Sequence, residues 1–180
     1  MGYRHSKDEI LEAAVAFVLE DGLSRLTFGA VASRIGTSDR MVVYYFPSKN
    51  ELIVEVLRAI AGRLQDALRS SLLTRVPNHV EFVRAVWPSL ANRRSDAVFA
   101  VFFEASGLAS AGIEPYRSLA PALMNSWITW AEDSIEGNKA HRREEAAAAI
   151  ATVDGLLLLR RLSGPTQANR AQAAVVGRRR

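Results

Sequence analysis

An all-α fold is what this sequence predicts, on three observations. Alanine supplies 28 of the 180 residues, and alanine is the strongest helix former. The alternation of β-branched and polar residues that marks half-buried strands is nearly absent. Capping residues, apolar helical periodicity and then Gly or Pro recur along the chain and cut it into about nine helices. They group as a three-helix head, 1–46, joined by the fourth helix (whose start, to about residue 53, goes with the head) to a helical body, 47–180.

The first helix opens at Ser6-Lys7-Asp8-Glu9, a capping box in which Ser6 and Glu9 each satisfy a free amide. Ile10, Leu11, Ala13, Ala14, Phe17 and Val18 form its apolar face, and Asp21-Gly22 stops it. Thr27 caps a short second helix with Val31 and Ile35 inside, which Gly36-Thr37 breaks after about two turns. Ser38 caps a third short helix, 39–45, ended by Pro47-Ser48. Ser48-Lys49-Asn50-Glu51 is a second capping box, opening a long fourth helix with Leu52, Ile53, Val56, Leu57, Ile60, Leu64 and Leu68 inward. Further helices are expected near 78–91, 95–109, 115–136, 141–162 and 166–176, separated by Gly and Pro breakers.

Composition removes several function classes. The chain has no cysteine, which excludes a disulfide framework, an iron–sulfur cluster and a cysteine-based zinc site. His5, His79 and His141 have no metal-ligand spacing. The longest apolar run, 146–159, is too short to span a bilayer and contains Asp154. The first 17 residues are polar and charged, unlike a signal peptide, so a cytoplasmic protein without membrane contact is expected. Nucleophile-elbow, Walker and dinucleotide-binding glycine motifs are absent, and adjacent Glu144 and Glu145 diverge on a helix. No enzyme and no cofactor are therefore expected. The net charge of +4 comes from six arginines in 160–180, since residues 1–159 hold 17 basic and 19 acidic side chains. Basicity alone carries no argument for nucleic acid, and Arg178-Arg179-Arg180 reads as a solvated tail.

The head carries the information. Two short helices joined by a tight turn with a central Gly are the pattern of a helix-turn-helix. In that motif the second helix enters the DNA major groove and its first residues meet base edges. Residues 27–46 fit this pattern. The run Ile10-Leu11, Ala13-Ala14, Phe17, Gly22, Thr27, Val31-Ala32, Gly36, Ser38, Tyr44-Tyr45-Phe46, Ser48-Lys49 and Leu52-Ile53 resembles, without gaps, the DNA-binding head of the tetracycline-repressor (TetR-type) family of bacterial transcription regulators. Val153-Asp154-Gly155-Leu156-Leu157 is a weaker echo.

The resemblance implies double-stranded DNA as partner and assigns roles. Thr27 and Ser38 cap their helices and hold phosphates; Asp39, Arg40 and Met41 take base-facing positions. Arg40 is the candidate for a bidentate contact to guanine. Tyr45 and Lys49 match phosphate-contacting positions. The family usually has Tyr where this chain has Val43, so that contact is lost or passes to Tyr44. Asp39 either accepts from a cytosine amino group or complements a helix dipole. Thr27 and Ser38 have a plain alternative as caps only, and Met41 as core.

For the body the resemblance implies an effector pocket and a homodimer. Trp87, Phe99, Phe103, Glu104, Asn125 and Trp127 are the pocket candidates, although core is the default reading of the aromatics and solvent of Glu104. A small hydrophobic or amphipathic effector is expected. Ala146, Ala149, Ile150, Val153, Leu157 and Arg161 follow steps of three and four and are the dimer-interface candidates. A two-fold dimer implies a near-palindromic operator. The expected function is a dimeric repressor released from its operator by the effector. A helical protein-interaction module and a helical-bundle enzyme are the alternatives.

Overall fold

The computed structural model describes residues 5–177; the Arg178-Arg179-Arg180 tail lies outside the described residues. Among the described residues there are nine α-helices: α1 (Lys7–Asp21), α2 (Phe28–Ile35), α3 (Asp39–Tyr45), α4 (Lys49–Leu68), α5 (His79–Leu90), α6 (Asp96–Ser110), α7 (Tyr116–Asp133), α8 (Lys139–Ser163) and α9 (Pro165–Val176). The fold is all-α, as the sequence predicts. None of these helices is long and apolar enough to cross a membrane.

The caps explain why the ends fall where they do. The Ser6 hydroxyl accepts from Glu9 N at 3.2 Å, and the Glu9 carboxylate accepts from Ser6 N at 2.8 Å. Both halves of that capping box are therefore present. The box expected at Ser48 is only half formed. Ser48 Oγ accepts from Glu51 N, but Glu51 Oε1 takes the Ser48 hydroxyl at 3.1 Å instead of returning to the backbone. Asn78 and Asn138 cap α5 and α8 through their side-chain oxygens, each at 3.0 Å.

The described chain forms two compact units. The first holds the residues up to Arg63 together with Ala100–Pro121; the second holds Leu64–Phe99 together with Ala122 onward. The division differs from the boundary expected at 46/47. Leu52, Ile53, Val56, Leu57 and Ile60 of α4 are buried, which extends the first unit along that helix. In the first unit α1 packs on α2 and α2 on α3. Its core contains Ile10, Val18, Leu23, Leu26, Val31, Val42 and Phe46.

In the second unit α8 packs against both α5 and α9. Phe82, Val83, Val86, Trp87 and Leu90 of α5 are buried, as is Ala168 of α9. Glu145 of α8 accepts from His79 N, at the start of α5, and meets the His79 ring, each at 2.6 Å. These contacts correct the expected dimer face. Ala146, Ala149, Ile150, Val153 and Leu157 are all buried within a single chain, because they are the side of α8 that packs inward. Arg161 is exposed. The other side of α8 exposes Ala147, Ala151, Gly155, Leu158 and Leu162. Leu158 is 43% and Leu162 76% exposed, unusual for leucine in the middle and last turns of a helix.

Candidate nucleic-acid interface

The turn between α2 and α3 is set by Gly36. Its φ of 67° and ψ of 36° lie in the left-handed region, where a β-carbon is penalised. Thr37 N donates to Ala32 O at 3.0 Å and Gly36 N to Ser33 O at 3.4 Å. This pair of bonds is a Schellman ending, which closes α2 and turns the chain into α3. Thr27 Oγ1 accepts from Ala30 N at 3.1 Å and caps the other end of α2. Ser38 makes no side-chain cap bond. Both Thr27 and Ser38 are exposed.

α3 is held from below. Val42 is fully buried and Phe46, which ends the helix, is 1% exposed. Lys7 of α1 sits 5.3 Å from the Phe46 ring centre. The remaining side chains point elsewhere: Asp39, Arg40, Val43 and Tyr44 are exposed, while Met41 and Tyr45 are half-buried. Tyr44 is 68% exposed and meets Tyr45 edge-on, with ring centres 4.9 Å apart. A short helix is thus pinned by two apolar side chains and offers its polar side to solvent. Asp39 lies close to α2: a β-carbon built on Gly29 would sit 3.4 Å from its Oδ2. Its carboxylate therefore rests over the first turn of α2, the positive end of that helix.

Charge pairing separates structural from available cations. Arg25 pairs with Asp21 at 3.3 Å, and Arg34 of α2 pairs with Glu20 of α1 at 2.5 Å. That hydrogen bond lowers the Glu20 pKa and raises that of Arg34. Arg58 pairs with Glu55 and Arg63 with Glu12. Among the described residues Arg40 and Lys49 are exposed and have no ion-pair partner. They are the two cations of the α3–α4 segment that a polyanion can take without breaking an existing pair.

The pocket candidates are spread over the two units, Phe103 and Glu104 in the first and Trp87, Phe99, Asn125 and Trp127 in the second. Trp87 is buried and donates from Nε1 to Asn169 at 3.0 Å. Phe99 is buried too, and Phe103 meets Phe102 edge-on at 5.2 Å. Trp127 meets Trp130 edge-on at 5.6 Å, and Trp130 meets Phe82 likewise at 5.6 Å. Asn125 is exposed and accepts from Arg143 at 3.0 Å. Glu104 is half-buried, and its carboxylate is already engaged. Its carboxylate accepts from Leu23 N at 2.9 Å, from Ser24 N at 2.8 Å and from the Ser24 hydroxyl. Burial pushes its pKa up, and these three donors together outweigh it and hold the pKa below the usual value. Sequence reasoning missed this attachment, because its partners lie some 80 positions away.

Comparison with known proteins agrees with this geometry. Residues 10–56 match the family profile described as "Bacterial regulatory proteins, tetR family". The HTH-type transcriptional regulator BetI of Escherichia coli O157:H7 is 22% identical over 171 residues, covering 87% of this chain and 82% of BetI. A transcriptional regulator of Rhodococcus sp. Rha1 superposes with a TM-score of 0.74 at 22% identity, covering 96% of this chain and 95% of that one. A regulator from Saccharomonospora viridis, solved in complex with choline, gives a TM-score of 0.69 at 20% identity over 94% and 92% of the two chains. The structures share the fold, and the profile covers the helix pair, its turn and the start of α4. Residues 10–56 thus carry a head similar to that of the tetR regulatory proteins, on a chain that is similar to BetI along most of its length.

Proposed function

We propose that the protein is a dimeric repressor that a small hydrophobic or amphipathic molecule releases from a near-palindromic operator. The observation that carries the DNA side is the exposed, unpaired Arg40 at the start of α3, a helix anchored by Val42 and Phe46. Arg40 reads a guanine edge, while Thr27, Ser38, Tyr44, Tyr45 and Lys49 hold phosphates. Asp39, set over α2, complements the dipole of that helix in the free protein. Selection of bound fragments from the source genome, at a fixed salt concentration, tests this with Arg40→Ala beside the parent. The expected result is a palindromic site that the variant binds more weakly. No enrichment by the parent counts against the operator.

The dimer uses the outward side of α8, where Ala147, Ala151 and Gly155 permit close helix approach and Leu158 and Leu162 supply apolar area. The effector binds the body. The Saccharomonospora regulator of the same fold holds choline, and the half-buried Trp127 and Trp130, backed by buried Phe82, are rings of the kind that attract organic cations. Choline is therefore the first probe. An effector acts only by favouring the DNA-incompetent state. Addition of an active one lowers operator affinity, whereas an inert ligand leaves it unchanged however tightly it binds.

A further inference from the structure

We propose that Glu104 is a positioning residue for operator binding: its carboxylate fastens the α1–α2 loop to α6 and thereby fixes the placement of the head. Three donors from two consecutive residues converge on this one carboxylate, the amides of Leu23 and Ser24 and the Ser24 hydroxyl. Both of its oxygens are used. Gly22 leaves the space for it. A β-carbon there would lie 3.0 Å from Glu104 Oε2, and the backbone has φ +88°. Buried Tyr116 stands close enough for the Glu104 charge to add to the rise that burial causes in its pKa.

The location gives the attachment its role. The loop it holds lies immediately before α2, the first helix of the pair that meets DNA. α6 is a continuous helix, yet its residues up to Phe99 belong to the second unit and those from Ala100 to the first. Glu104 is thus where the part of α6 that belongs to the first unit grips the backbone of the head. Its bonds are charge-assisted and stronger than neutral ones. They touch no DNA, so their loss leaves the reading surface of one head intact and changes where that head is carried.

The DNA arm of the test rests on the operator reading above. Operator affinity is measured for the parent, Glu104→Gln and Ser24→Ala, on the selected palindrome and on a fragment carrying one half-site. Glu104→Gln keeps the shape but has one acceptor oxygen and places an amide against donors. It is expected to lose about tenfold on the palindrome and nothing on the half-site. Ser24→Ala, which keeps the two backbone bonds, shows a smaller loss in the same pattern. Equal losses on both fragments mean a damaged head and overturn the proposal, as does no loss on either.

A second arm needs no DNA. The chain has no cysteine, so Asp8→Cys and Ser118→Cys, both exposed and both in the first unit, give two unique spin-label sites, diluted with unlabelled copies. Glu104→Gln should broaden the distance distribution between them; an unchanged width overturns the proposal. A parent that selects no palindrome removes the operator reading, and the label distribution then decides the role of Glu104.

Discussion

Asp154 offers a quantitative test of the second unit. It lies on α8 beside the buried Val153 and is itself partly buried. Burial raises its pKa from 3.8 to about 6. The sign follows from linkage. Below about pH 4 the carboxyl is neutral in both folded and unfolded chains and costs nothing. As pH rises through 6, the unfolded chain is already ionised while the folded one must ionise in a poorly solvated place. Stability present at low pH is therefore lost by pH 7–8, by about 3 kcal/mol as a ceiling. Asp154→Asn removes the charge but keeps a polar group to bury, so about half of that should return. The variant should be about 1–2 kcal/mol more stable than the parent at pH 8 and equal to it near pH 4. Urea unfolding at a series of pH values, at one fixed protein concentration, measures the difference. A gap that is the same at pH 4 and pH 8, or a less stable variant at pH 8, would refute the reasoning, because either means that the ionised carboxylate is well solvated or paired.

Lys49→Ala should weaken binding to all DNA sequences alike and reduce the slope of log affinity against log salt by about 1; titrations at several salt concentrations check both. Gly36→Ala meets open space, so its cost is that of the left-handed backbone alone, about 1–2 kcal/mol by thermal or urea unfolding. Leu162→Glu puts a charge on the outward stripe of α8 without touching the core, and light scattering should show a shift from dimer to monomer with helix content unchanged.

The elements were legible because their ends are written locally. Ser6, Thr27, Asn78 and Asn138 bond to amides three residues away, and Gly36 stops α2 by its own backbone freedom. The outward residues of α3 were named from the resemblance, whereas its anchors Val42 and Phe46 emerge from the packing. α8 was harder. Its run of Ala and Leu is apolar on more than one side, so steps of three and four fit Ala146–Ile150–Val153–Leu157 as well as Ala147–Ala151–Leu158–Leu162. Periodicity finds a stripe; only packing against α5 and α9 says which stripe is core. Glu104 was illegible for a different reason. An acid in an apolar helix announces that it needs partners, but backbone amides as partners leave no trace in side-chain pattern.

The head cannot be lifted out of this chain in one piece. Its unit is made from the residues up to Arg63 and a second stretch, Ala100–Pro121, which contributes Glu104. A chimaera that transplants this reading head onto another body, cut only after α3 or along α4, would leave the amides of Leu23 and Ser24 without their acceptor. A faithful graft carries both stretches and so joins its host at three points, near 63, 99 and 121. Engineers who exchange specificities between such regulators should expect grafts cut at 46 to fold less firmly than grafts that respect those three seams.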